Sequence, residues 1–154
     1  MAGTIKSGFW YNSNDVRDNV STIDGGGNPL IYEGNYGAYG MIDQRVFRVN
    51  DTQGLNAFFM GGGAPDDRNI VEYSLAGGLN YTGLIPYRPS DVTGFALTNA
   101  AMKDSGETTY EWTYQVQIRD GVFLQPDIQY VQHPDANSSI KNASVFMLRT
   151  EIHF

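Results

Sequence analysis

The last strand of the chain constrains its fold most. Over residues 142–154 the side chains alternate: Ser144, Phe146, Leu148, Thr150, Ile152 and Phe154 share one face, and Ala143, Val145, Met147, Arg149, Glu151 and His153 share the other. A strand points successive side chains to opposite sides, so this pattern makes one apolar and one largely polar surface. Such alternation ending on a phenylalanine is the pattern of a closing strand in an outer-membrane barrel, with lipid on one side and a polar interior on the other. The same pattern turned inside out would suit a soluble barrel, so alternation alone leaves the choice open.

Seven further segments read as strands. Residues 3–12 put Ile5, Phe9 and Tyr11 on one face; residues 35–49 and 55–62 follow. In 69–82, Val71, Tyr73, Leu75, Leu79 and Tyr81 oppose Glu72, Ser74, Ala76, Gly78 and Asn80. Residues 92–102 carry small side chains on both faces. In 107–119, Trp112, Tyr114, Val116 and Ile118 oppose Glu111, Thr113, Gln115 and Gln117, and in 122–133, Leu124, Pro126, Ile128 and Tyr130 oppose Gln125, Asp127, Gln129 and His133. Pro126 removes a ladder donor and marks a bulge. The Gly- and Asn-rich stretch 13–33 reads as a loop, Asp120-Gly121 as a tight hairpin. Helical periodicity is nowhere sustained. The expectation is all-β: a transmembrane, antiparallel, up-and-down β-barrel of about eight strands, forming one domain over residues 1–154.

Composition excludes several functions. The net charge is −7 and there is no basic stripe, so nucleic acid is not a partner. There is no cysteine, which excludes disulfides and thiolate metal sites and suits passage through an oxidising periplasm. No apolar run approaches the roughly 20 residues of a spanning helix, which is no obstacle to a barrel, whose strands alternate. Met1-Ala2-Gly3 leads straight into strand-like residues without a secretory leader, so the chain reads as a mature form or as part of a longer one.

Two features favour the membrane. Trp10, Tyr11, Tyr81, Tyr110, Trp112 and Tyr130 read as interfacial girdles near strand ends. The connections also alternate in length: with an even strand number and a periplasmic C-terminus, 13–33 (the longest), 63–68, 103–106 and 134–141 face outside, and the short or medium 50–54, 84–91 and 120–121 face the periplasm.

No catalytic constellation emerges, and the reading is not an enzyme. His133 and His153 have no ligand spacing to one another, so no metal or cofactor is expected. The candidate functional residues are polar rows facing the interior: Asp43 with Arg45; Glu111, Gln115 and Gln117; Gln125, Asp127 and Gln129; Arg149 with Glu151. Planar polar groups of this kind hydrogen-bond sugar hydroxyls, and they equally satisfy one another in an internal network. Asp66-Asp67-Arg68 reads as a solvated turn with a local ion pair.

Several segments resemble one family. They are 53–69, with Ala64-Pro65-Asp66-Asp67-Arg68-Asn69; Gly83-Leu84-Ile85-Pro86-Tyr87-Arg88-Pro89-Ser90-Asp91; the Tyr/Gln-rich strand 111–117; and Leu124-Gln125-Pro126-Asp127-Ile128-Gln129-Tyr130-Val131-Gln132-His133-Pro134, the most specific. Together they are similar to the C-terminal half of the carbohydrate-selective porins of the OprB type. The resemblance implies a bacterial outer-membrane porin admitting sugars such as glucose by diffusion, with outer-membrane lipid around it. Family members close about sixteen strands, twice the number found here. That leaves a segment of a larger barrel, a small closed barrel, or self-association of copies through edge strands. A closed eight-stranded barrel would be filled by side chains and would not conduct, leaving a structural or adhesive role. A soluble ligand-binding barrel of lipocalin type predicts instead that Phe146, Leu148 and Ile152 face a dry interior.

Overall fold

The computed structural model describes residues 3–18 and 26–154. Its main body is one antiparallel sheet of eight strands: β1 (Gly3–Asn12), β4 (Asn35–Arg48), β5 (Gly54–Gly63), β6 (Tyr73–Thr82), β7 (Val92–Met102), β8 (Ser105–Arg119), β9 (Val122–Gln132) and β10 (Ala143–Ile152). Each strand pairs with the next in this order. A two-residue ribbon, β2 (Val16–Arg17) with β3 (Ile31–Tyr32), sits in the connection between β1 and β4. That connection is therefore not wholly a loop. Residues 19–25 of it, including the Asp24-Gly25 step, lie outside the described residues. No α-helix occurs among the described residues; a short 3₁₀ turn, Pro134–Ala136, follows β9.

The pairing is regular because period-two alternation makes any one-residue slip exchange the faces of a strand. One face carries Ile5, Phe9, Phe59, Leu79, Phe95, Trp112, Ile128, Phe146, Leu148 and Ile152, all exposed. Phe146 is 74% and Leu148 67% exposed, so this surface is not the dry interior of a soluble barrel. The buried hydrophobic residues among those described are only Ala101 and Ala136. The sheet is one layer thick, and its apolar surface requires a non-aqueous cover.

The expected closed barrel of eight strands is not formed. β1 pairs only with β4, and β10 only with β9, so the sheet is an open arc with two edges. A closed eight-stranded barrel has an interior just wide enough for its side chains. On the polar face Trp10, Tyr39 and Met60 are instead exposed, and are not packed against one another as the side chains of a filled bore would be.

Three local readings are also corrected. β6 begins at Tyr73, so Val71 and Glu72 belong to the preceding connection. Pro126 does not mark a bulge: β9 keeps one register with β10 through it. Lacking an N–H, it only interrupts the β8–β9 ladder, which skips Tyr114 and Gln115, while the bulge on β8 falls between Gln117 and Arg119. Trp10 lies on the polar face, opposite Gly37, and Trp112 lies mid-strand, so neither belongs to a rim girdle on the apolar face.

Candidate functional site

All ten candidate residues fall on the polar face. Following the ladders across the sheet, one row reads Thr4, Asp43, Phe58, Gly78, Ala96, Glu111, Gln129, Val145. The next reads Arg45, Asn56, Asn80, Gly94, Thr113, Asp127, Met147. The face is thus divided. β1, β4 and β5 present aromatic and thioether side chains with Asp43 and Arg45, β6 and β7 present a floor of small residues, and β8 to β10 present the dense polar wall.

The polar wall is the part the structure brings together. Gln129 Nε2 donates to Glu111 Oε2 at 3.2 Å, Gln125 Nε2 to Thr113 Oγ1 at 2.6 Å, and Gln115 Nε2 to Glu151 Oε2 at 3.5 Å. Thr113 Oγ1 in turn donates to the Pro126 carbonyl at 3.3 Å, which braces the strand where the proline leaves the ladder open. Asp127 is 6% exposed, and its Oδ1 is buried with no hydrogen-bond partner. A cavity of about 360 Å³ lined by Gln125, Asp127, Met147, Leu148 and Arg149 opens beside it.

Three candidates stand apart. Asp43 is four strands from Glu111 in the same row, about 19 Å along the sheet at the usual strand spacing. Arg45 Nη1 donates to the Asp51 carbonyl at 3.3 Å, in the β4–β5 turn. Gln117 Nε2 reaches Asp120 Oδ1 at 3.5 Å, in the β8–β9 turn.

Two clusters brace the rims. In the β6–β7 connection, Asp91 is 3% exposed and collects four donors. Arg88 Nε reaches Oδ2 at 2.5 Å and Arg88 Nη2 reaches Oδ1 at 3.1 Å. The Tyr114 hydroxyl reaches Oδ2 at 2.6 Å and the Gln117 N–H reaches Oδ1 at 3.0 Å. Burial raises the Asp91 pKa, but the bonds from Arg88, Tyr114 and Gln117 outweigh it and hold the carboxyl below its usual value. On the opposite rim, Arg68 pairs with Asp67 at 2.8 Å, donates to the Gly34 carbonyl at 2.9 Å, and stacks over Tyr32 at 4.2 Å. The hydrogen bond from Arg68 lowers the Asp67 pKa. The expected ion pair of this turn is present, but the turn is not simply solvated: the Arg68 side chain is 13% exposed, and it fastens the β1–β4 connection.

The comparisons with known proteins now bear on this geometry. A family model described as carbohydrate-selective porin, OprB family, matches residues 1–154. The chain belongs to the OprB family of carbohydrate-selective porins. The high-pH structure of OprB from Pseudomonas putida superposes with a TM-score of 0.86 at 20% identity, over 97% of this chain and 44% of that one. The low-pH structure of the same protein gives a TM-score of 0.64, also at 20% identity, over 97% and 46%. No curated protein matches the sequence. The OprB-family chain therefore spans under half the length of these structures and shares the fold of that part of them.

Sequence reasoning missed two groups. Asp91 appeared only as the last residue of the 84–91 connection and of a family-like segment, with no role, although its three-residue spacing from Arg88 was visible. Phe58 and Asn80 were not singled out. Phe58-Phe59 is an adjacent pair of which one side chain must face inward, and the ladder with Asp43 decides that it is Phe58.

Proposed function

We propose that the chain forms wall of an outer-membrane porin that passes sugars by passive diffusion. The observation that carries this reading is the division of the sheet: ten polar residues on one face, a mostly apolar surface on the other, broken by Gln44, Thr93, Asn99 and Thr150, and no apolar core among the described residues. Lipid covers Phe9, Phe95, Phe146, Leu148 and Ile152. Glu111, Gln115, Gln125, Asp127, Gln129, Arg149 and Glu151 line one side of the aqueous path, with Asp43, Arg45 and Gln117 toward its margins. Hydroxyl groups exchange water for these acceptors and donors, weakly enough that solute leaves again. No catalysis, cofactor or energy source enters.

Strands that complete the wall pair with the free edges of β1 and β10. A second copy fits this requirement. The two edges run antiparallel, so β1 of one copy on β10 of the next preserves the up-and-down order, and two copies reach the about sixteen strands of a wide bore.

Single-channel recording of the detergent-refolded chain in a planar bilayer, with and without glucose, tests the reading. Uniform conductance steps partly blocked by glucose are expected. Silence from protein shown to be folded and inserted would refute it.

A further inference from the structure

Between the aromatic wall and the polar wall lies a floor that treats its side chains unusually. A Cβ on Gly78 would meet the Phe58 ring at 2.7 Å (Cε1) and 2.8 Å (Cζ). The ring therefore lies across the neighbouring strand, over the glycine. One strand further on, a Cβ on Gly94 would meet Asn80 Oδ1 at 2.5 Å, so the Asn80 amide lies across Gly94 in the same way. Ladder pairing sets Phe58 opposite Gly78 and Asn80 opposite Gly94 in adjacent rows. The ring and the amide are diagonal neighbours, one row apart. The Asn80 amide makes no hydrogen bond to protein among the described residues. Phe58, Asn80, Gly94, Phe95, Ala96, Glu111 and Thr113 line one cavity of about 110 Å³.

We infer that Phe58 and Asn80 form a pyranose subsite, with Phe58 the stacking platform and Asn80 the hydroxyl partner. This rests on the porin reading and names its contact residues. A hexopyranose has an apolar face of axial C–H groups and a polar rim. An aromatic ring held flat accepts the first, and a planar amide supplies both a donor and an acceptor to the second. Glu111, already bonded to Gln129, stands on the polar-wall side of the cavity and accepts a further hydroxyl. Neither Phe58 nor Asn80 carries charge, so these two residues select for ring shape and add nothing to ion attraction. Gly78 and Gly94 are what let both groups lie flat, because any side chain there would prop them upright.

The test is saturation-transfer NMR with methyl α-glucopyranoside on the detergent-folded chain, alongside bilayer conductance. Wild type is expected to transfer saturation to the sugar's ring protons. Phe58→Leu, which keeps the apolar volume and removes the ring face, is expected to weaken binding by about tenfold, the factor equivalent to losing about 1.4 kcal/mol. Phe58→Trp, which keeps an aromatic face, is expected to retain binding. Asn80→Ala, expected to weaken binding by a smaller factor, supplies the second reading should Phe58→Leu misfold. Sugar binding by wild type that is equally strong in Phe58→Leu and in Asn80→Ala would overturn the subsite and leave the porin reading standing. Conductance with no sugar contact in wild type would overturn the subsite together with sugar selectivity. Sugar contact without conductance would overturn the pore and leave the subsite.

Discussion

Replacing Asp91 by Asn tests the rim architecture most directly. Its carboxylate accepts four hydrogen bonds, two of them from Arg88, and it is nearly inaccessible to water. An amide keeps one acceptor oxygen and turns an NH₂ group toward two former donors. Were the NH₂ at the Oδ2 position, the Tyr114 hydroxyl could rotate to accept, but Arg88 Nε could not. One charge-assisted bond is then lost outright, worth about 1.5 to 3 kcal/mol. The Arg88 side chain is 41% exposed and recovers part of this from water, so about 2 kcal/mol is expected. Asp91→Ala orphans the Tyr114 hydroxyl and the Gln117 N–H as well, and about 3 to 5 kcal/mol is expected. Urea unfolding of the detergent-folded chain, followed by tryptophan fluorescence, measures both. The pH dependence carries a sign. The folded-state pKa lies below the ordinary 3.8, so the carboxylate stabilises the fold above that value. This contribution is lost as pH falls below 3.8 through the lowered folded value. Asp91→Asn removes that part of the acid sensitivity. A variant within about 0.5 kcal/mol of wild type, or one with the same acid profile, would refute the reasoning.

Other expectations follow from single contacts. Arg68→Lys keeps the charge but loses the paired bonds to Asp67 and the stacking on Tyr32, so limited proteolysis should cut the β1–β4 connection faster while global unfolding shifts little. Tyr87 is fully exposed with φ +68°, two residues into the turn closed by Arg88 N–H to Ile85 O, and Tyr87→Asn is expected to raise stability by about 0.5 to 1 kcal/mol in the same urea assay. Arg149→Ala removes a cation from the polar wall beside Asp127 and is expected to shift reversal potentials toward cation selectivity, with an unchanged potential counting against a lumenal Arg149.

The faces of the sheet were legible because period-two alternation survives almost any error in strand ends. Glu111, Gln115, Asp127 and Arg149 were placed on one face before any pairing was known. Trp10 was legible too: Ile5, Phe9 and Tyr11 occupy the odd positions of β1, so parity alone puts Trp10 on the other face, and the habit of grouping aromatics at rims obscured it. What the sequence could not show was closure. No residue in β1 or β10 records whether those two edges meet, because closure depends on sheet curvature summed over all eight strands. The Asp91 cluster was half visible, since Arg88 is three residues away, but Tyr114 and Gln117 reach it only through the β7–β8 pairing. Phe58 and Asn80 become neighbours only through the β5–β6 pairing.

The open arc also bears on how such a protein is made and how it can change. With no central core, the contacts of the main sheet lie between adjacent strands, and apart from β1 with β4 those strands are consecutive in the chain. Such a sheet resembles a linear array in which each hairpin leans only on the next, so stability accumulates unit by unit and folding can zip from any tight turn. Removing the β9–β10 hairpin would cost its own interface with β8 and leave the remaining strands a ready edge. A lineage built on this plan can gain or lose bore in steps of two strands without redesigning an interior.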